Sequence, residues 1–142
     1  MDNEVLYHLD TFVKTNSMIN IALISHDGKK PDMVSFILSN REFLLSTKLY
    51  ATGTTGLHIE KEGFEVEKLL SGPLGGDAQI ATMVATEQID LVIFFRDPLG
   101  MHPHEPDVQM LMRQCDVHNV PLATNPKAAH YLIRGIQSTF KS

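Results

Sequence analysis

The sequence predicts an α/β protein: a single three-layer α/β/α domain on a mainly parallel five-stranded sheet. Three observations carry this. Short apolar runs alternate five times with segments of helical spacing, the pattern of parallel strands joined by crossover helices. The run Leu91 to Phe95 is apolar throughout, as a strand covered on both faces requires. The 142 residues suit one core of ordinary size, with no internal repeat, low-complexity tract or second domain.

Residues 1–19 read as an N-terminal extension in which Val5, Leu6, Leu9, Phe12 and Val13 show weak helical patterning, suited to docking on the body or on a neighbouring subunit. The domain itself is expected over residues 20–142. The first strand is N-I-A-L-I-S, Asn20 to Ser25, ended by the polar His26-Asp27-Gly28. Pro31 suits a helix first turn, and Met33, Phe36, Ile37, Phe43 and Leu44 continue a helix to about Leu45. Lys48 to Thr52 is the second strand, followed by a short helix to Lys61 that Gly63 stops. Glu65 to Leu70 is the third strand, and a helix begins near Asp77 with Ile80, Met83 and Val84 inward, ending near Gln88. Asp90 to Phe95 is the fourth strand, and Asp107 starts a helix with Val108, Leu111 and Met112 on one face. Val120 to Thr124 is the fifth strand, after which Asn125 and Pro126 open a last helix containing Ala129, Leu132 and Ile133.

A net charge of -5 with no Lys/Arg cluster argues against a nucleic-acid or anionic-membrane partner, while leaving room for a phosphorylated small molecule. The lone Cys115 excludes an internal disulfide and a Cys-based zinc site. The first 20 residues carry Asp2, Glu4 and Asp10 and resemble neither a signal peptide nor a span, so the chain reads as cytosolic.

The chemistry concentrates in loops that leave strands at the carboxyl edge, where open α/β sheets place ligands. The longest, R-D-P-L-G-M-H-P-H-E-P-D from Arg96 to Asp107, holds Asp97, Glu105 and Asp107 with His102 and His104, restrained by Pro98, Pro103 and Pro106. T-G-T-T-G, Thr52 to Gly56, places Thr52, Thr54 and Thr55 and two glycines where a strand turns into a helix. Free amides and the helix dipole make such a turn an anion site; a polar capped turn is the plainer reading. Lys30 is placed to add a point charge to the same anion. In S-G-P-L-G-G-D, Ser71-Gly72 repeats the anion chemistry and Gly75-Gly76 makes a tight turn before Asp77, which reads equally as a helix cap or as a base. Position does not choose between them; convergence with His104 and Asp107 does. Asp97 and Asp107 also fit turn and cap roles, and His102 and His104 fit surface positions. His102, His104, Glu105 and Asp107 offer metal donors, but neither H-E-x-x-H nor another recognised ligand spacing is present. His118 and His130 are most simply surface residues.

Six segments in order, I-A-L-I-S-H-D at Ile21, L-Y-A-T-G-T-T-G at Leu49, S-G-P-L-G-G-D at Ser71, D-L-V-I-F-F-R-D-P-L at Asp90, P-H-E-P-D at Pro103 and P-L-A-T-N at Pro121, closely resemble the methylglyoxal synthase family. The resemblance implies conversion of dihydroxyacetone phosphate to methylglyoxal and inorganic phosphate without metal or organic cofactor. It places Asp77 at the family's catalytic base and His104 at the histidine facing the substrate carbonyl and hydroxyl oxygens. Asp97 and Asp107 fall on carboxylates associated with the family's active site. His26, Lys30, Thr52, Gly53, Thr54, Thr55, Ser71 and Gly72 match its substrate- and phosphate-binding positions. A homohexamer that binds phosphate as product and inhibitor is implied too.

Methylglyoxal-synthase-like domains also serve as regulatory units in carbamoyl phosphate synthetase, sensing phosphorylated effectors, and this is the main rival reading. A sensor needs the anion loops and has no use for a base. A metal-dependent hydrolase is the third. The family's inter-subunit basic residue beyond the fifth helix has no arginine counterpart after Arg134, which leads us to expect weak phosphate cooperativity.

Overall fold

The computed structural model describes residues 18–140. The helical spacing from Val5 to Val13, and Lys141, lie outside them. Five strands, β1 (Asn20–Ser25), β2 (Lys48–Thr52), β3 (Val66–Leu69), β4 (Leu91–Phe95) and β5 (Leu122–Ala123), all pair in parallel in the order β3-β2-β1-β4-β5. The helices are α1 (Lys30–Ser39), α2 (Arg41–Leu44), α3 (Gly53–Lys61), α4 (Gly76–Ala85), α5 (Glu105–Val117) and α6 (Pro126–Phe140).

From β1 the chain steps through β2 to β3 in one direction, then crosses back to β4 and β5 in the other. Crossovers of one hand running in opposite directions put their helices on opposite faces. The two cores show this. Ile21 and Leu23 of β1 and Leu91, Ile93 and Phe95 of β4 pack with Met33, Phe36, Ile37, Leu44, Ile59, Ala129 and Ile133 from α1, α2, α3 and α6. The alternate residues, Ala22, Ile24, Val92 and Phe94, pack with Ile80, Ala81 and Val84 of α4 and Val108, Leu111 and Cys115 of α5. Because successive strand side chains point to opposite faces, one apolar run feeds both cores.

Several boundaries differ from expectation, each for a local reason. The helix expected through Leu45 breaks at Asn40, whose side-chain amide and backbone N–H both donate to the Phe36 carbonyl, at 2.9 and 3.2 Å. Helix α4 starts at Gly76 and stops at Ala85, short of Gln88, because Glu87 takes a left-handed conformation (φ 62) and Gln88 N–H closes back on the Met83 carbonyl at 2.8 Å. Helix α5 opens at Glu105, two residues before Asp107, so Pro106 lies within its first turn, where a missing N–H costs nothing. Strand β3 is an edge strand with Glu67 and Lys68 exposed. β5 is only two residues long.

Candidate active site

The order of strands reverses between β1 and β4, and the loops leaving their carboxyl ends enclose a cavity of about 300 Å³. His26 from β1, Thr52 to Thr55 from β2, Ser71, Gly72 and Asp77 from the loop after β3, and Asp97, His102 and His104 from the loop after β4 all line it, with Lys30. The glycines explain how the loops come so close. A Cβ on Gly53, which has φ 37, would lie 2.8 Å from the Ser71 Cα and Cβ. One on Gly72 would lie 2.8 Å from His104 Nε2, and one on Gly76 1.9 Å from the Leu70 carbonyl oxygen. A β-carbon at Gly53 or Gly76 would displace the backbone it meets, and one at Gly72 would push the His104 imidazole aside.

Asp77 is in the first turn of α4, but Gly75 is the N-cap and Asp77 is fully buried, with neither carboxylate oxygen hydrogen-bonded among the described residues. The plain capping reading therefore does not describe it. His104 Nε2 lies 3.6 Å from Asp77 Oδ2. Burial raises the Asp77 pKa above its ordinary 3.8; His104 opposes this, and the charges of Asp107 and Glu105 add to it.

His26 is 6% exposed. The Asp97 backbone N–H donates to its Nδ1 at 2.8 Å, which assigns the proton of the neutral ring to Nε2. Burial lowers the His26 pKa from 6.5 to about 4, with His102, His104 and Arg96 contributing and Asp97 opposing. Asp97 also does the turn work expected of it, its Oδ1 accepting from Leu99 N–H at 3.1 Å. Beside the β2 loop, Ser25 Oγ and Thr55 Oγ1 are 3.0 Å apart, and Lys30 Nζ donates to the Ser25 carbonyl and to Asp27 Oδ1, each at 3.0 Å. No side chain caps the first turn of α3, so its amides face the cavity at the positive end of the helix dipole.

Asp107 is not among the lining residues; it sits in the first turn of α5 and reaches the site through its charge on Asp77. Two contributors take roles the sequence does not assign: His102 reads there only as a surface residue or a metal donor, and Arg96 only as part of the loop. His102 lines the cavity, and Arg96 fastens the ends of its loop by donating to Glu105 Oε1 at 3.1 Å and contacting Met112 Sδ at 3.3 Å. Ser25, at the polar end of β1, was legible only as a strand end. His118 and His130 are exposed.

The metal reading takes a different form in three dimensions. Glu105 is engaged by Arg96 and Gln109, and among the described residues the convergent donors are instead His26, His102 and His104, with ligand atoms within 4.8 Å of one another. Two features make this a poor metal site. His26 Nε2 carries the proton, because Nδ1 is occupied by the Asp97 N–H, and it has no lone pair to give. His26 and His102 are also stacked with planes only 21° apart, so their in-plane lone pairs do not meet at one ion.

The MGS-like domain model matches residues 32–124. The chain is 55% identical over 123 residues to methylglyoxal synthase of Lysinibacillus sphaericus (strain C3-41), covering 86% of this chain and 92% of that protein. The chain belongs to the MGS-like domain family. Within this family it is also 56% identical over 117 residues to methylglyoxal synthase of Bacillus subtilis (strain 168), covering 82% and 85% of the two chains. The crystal structure of methylglyoxal synthase from Elizabethkingia anophelis NUHP1 superposes with a TM-score of 0.80 at 42% identity, covering 87% of this chain and 82% of that one. The parallel five-stranded sheet is thus the family's.

Proposed function

We propose that this chain is a carbon–oxygen lyase that converts dihydroxyacetone phosphate to methylglyoxal and inorganic phosphate. The observation that carries the reading is Asp77: a fully buried carboxylate without a hydrogen-bond partner among the described residues, 3.6 Å from His104, beside an amide-lined anion pocket. Such a group costs the fold stability, and its desolvation suits it to act as a base. A phosphate sensor has no need of it, which favours the enzyme over a regulatory module.

Asp77 removes a proton from the hydroxymethyl carbon, and its desolvation strengthens it as a base. Negative charge develops on the enediolate oxygen, where the His104 imidazole donates a hydrogen bond that strengthens toward the transition state. The enediol π electrons then expel the phosphate with the C–O bonding pair, provided that bond lies perpendicular to the enediolate plane. The remaining enol gives up its hydroxyl proton and takes one at the terminal carbon to become methylglyoxal, and the proton held by Asp77 leaves with the phosphate as hydrogen phosphate. Thr52, Gly53, Thr54, Thr55, Ser71, Gly72 and Lys30 hold the phosphate and set that angle. Asp97 and His26 complete the cavity wall, and Asp107 acts on Asp77 through space. No metal or organic cofactor is needed for these steps.

The test is to incubate the pure protein with dihydroxyacetone phosphate and follow methylglyoxal and phosphate together, with and without a chelator. Equal release, unaffected by the chelator, is expected. Loss of activity on chelation would restore the metal reading; phosphate binding without turnover would favour the sensor. We further propose a cytoplasmic homohexamer inhibited by its phosphate product, with weak cooperativity. No helix among the described residues is long and apolar enough to cross a membrane. Leu74, Leu99 and Met101, beside the site loops, are 72%, 93% and 99% exposed, apolar surface that assembly would cover. Light scattering and saturation curves with added phosphate test both parts.

A further inference from the structure

His102 has no part in the chemistry above, yet the fold turns it into the cavity wall. Its neighbour Met101 is 99% exposed, whereas His102 lies on the ring of His26 with centroids 3.8 Å apart and planes at 21°. Phe94 meets the His26 ring edge-on at 5.1 Å and 75°, and the Asp97 N–H occupies Nδ1. Cover, edge and one nitrogen are thus taken. Nε2 is left, buried and without a partner among the described residues. We propose that His102 is a positioning residue for His26: its stacked imidazole shields His26 from water and so keeps it a neutral Nε2–H donor toward the bound phosphate ester.

Most of the surroundings of His26 oppose a second proton. Protonating Nδ1 would set an N–H against the Asp97 N–H. The charge would face Arg96, His102 and His104; the Asp97 carboxylate favours it, as does Asp27, whose exposed side chain is paired with Lys30. Burial is the largest influence, and His102 supplies part of that cover. A neutral donor strengthens with charge on the substrate without forming an ion pair with departing phosphate, so it favours the transition state over tight product binding.

The proposal rests on the lyase reading only for what His26 contacts; the state of His26 can be read without turnover. Ring ¹⁵N resonances are followed against pH in the parent, His102→Ala and His102→Phe. In the parent, His26 should remain the Nε2–H tautomer between about pH 5 and 8. In His102→Ala its midpoint should rise by about one pH unit or more as water reaches the ring, and KM should rise several-fold, on the order of what one lost positioning contact costs. His102→Phe restores an aromatic cover and should return both toward parent values. An unchanged His26 midpoint and tautomer in His102→Ala overturns the proposal, whether or not turnover falls. Failure of Phe to restore them also overturns it, since cover would not be the cause. A parent that makes no methylglyoxal but shows the expected His26 shifts would reject the lyase reading and leave the positioning role standing.

Discussion

Asp77→Asn should do two opposite things, and the structure supplies the reason for both. The substitution keeps size and removes the base, so turnover should fall by about two to four orders of magnitude, about 3 to 5 kcal/mol of barrier. The same change should stabilise the fold at neutral pH. An ionised carboxylate at 0% exposure with no hydrogen bond carries a desolvation cost that one imidazole at 3.6 Å offsets only in part, and an amide carries no charge. A gain on the order of 1 to 3 kcal/mol follows. The folded pKa of Asp77 is raised above the unfolded value, so its contribution to stability is fully present below about pH 4 and is lost as pH rises through the folded pKa. The advantage of Asn should therefore vanish near pH 4 and grow with pH. Steady-state kinetics with dihydroxyacetone phosphate, and urea unfolding of both proteins from pH 4 to 8, measure the two effects. Turnover within a few-fold of the parent would refute the base assignment. A variant destabilised equally at all pH values would mean Asp77 serves the helix start.

Four further outcomes are expected. His104→Gln should lower turnover and weaken a planar enediolate analogue more than substrate, with His102→Gln reducing turnover far less; equal turnover losses would mean the electrophile is misassigned. Lys30→Ala, which removes the cation bridging the Ser25 carbonyl and Asp27, should weaken phosphate binding and let solvent deuterium enter recovered substrate; negligible incorporation alongside slower turnover would show that this end binds without steering elimination. Gly76→Ala should lower stability by about 2 kcal/mol or more and disorder the Asp77 turn, because its Cβ would sit 1.9 Å from the Leu70 oxygen, whereas Gly135→Ala in α6, with nothing within 4 Å, should add about 0.5 to 1 kcal/mol; thermal melts compare them. His26 contributes stability above its unfolded pKa of 6.5 that is lost as pH falls toward about 4, at most about 3 kcal/mol; His26→Gln should flatten that part of the pH profile, and parallel profiles would exclude it.

The alternation along β1 and β4 was written in the chain. Ile21 to Ile24 and Leu91 to Phe95 are apolar at every position, so each run must be covered twice, and the helical spacing between runs supplies the covers. That the polar loops share one edge follows from parallel strands alone. Helix ends were less legible, since Asn40 and Glu87 stop helices through side-chain competition and a left-handed backbone that many residues can adopt or avoid. The site's composition could be listed from its loops, but not its assignment. Asp before a helix is a cap or a base according to which atoms surround its oxygens, and that is decided by strands far apart in sequence; only the fold shows Asp77 buried with Gly75 as the cap. The histidines divide in the same way. One residue separates His102 from His104, and spacing does not say which faces Asp77, which lies on His26, or that an amide from Asp97 selects the tautomer. Local pattern determined the elements and their order, because periodicity is a short-range property. Protonation and metal-binding capacity were decided by tertiary contacts, because solvation and hydrogen bonding depend on whatever the folded chain brings alongside.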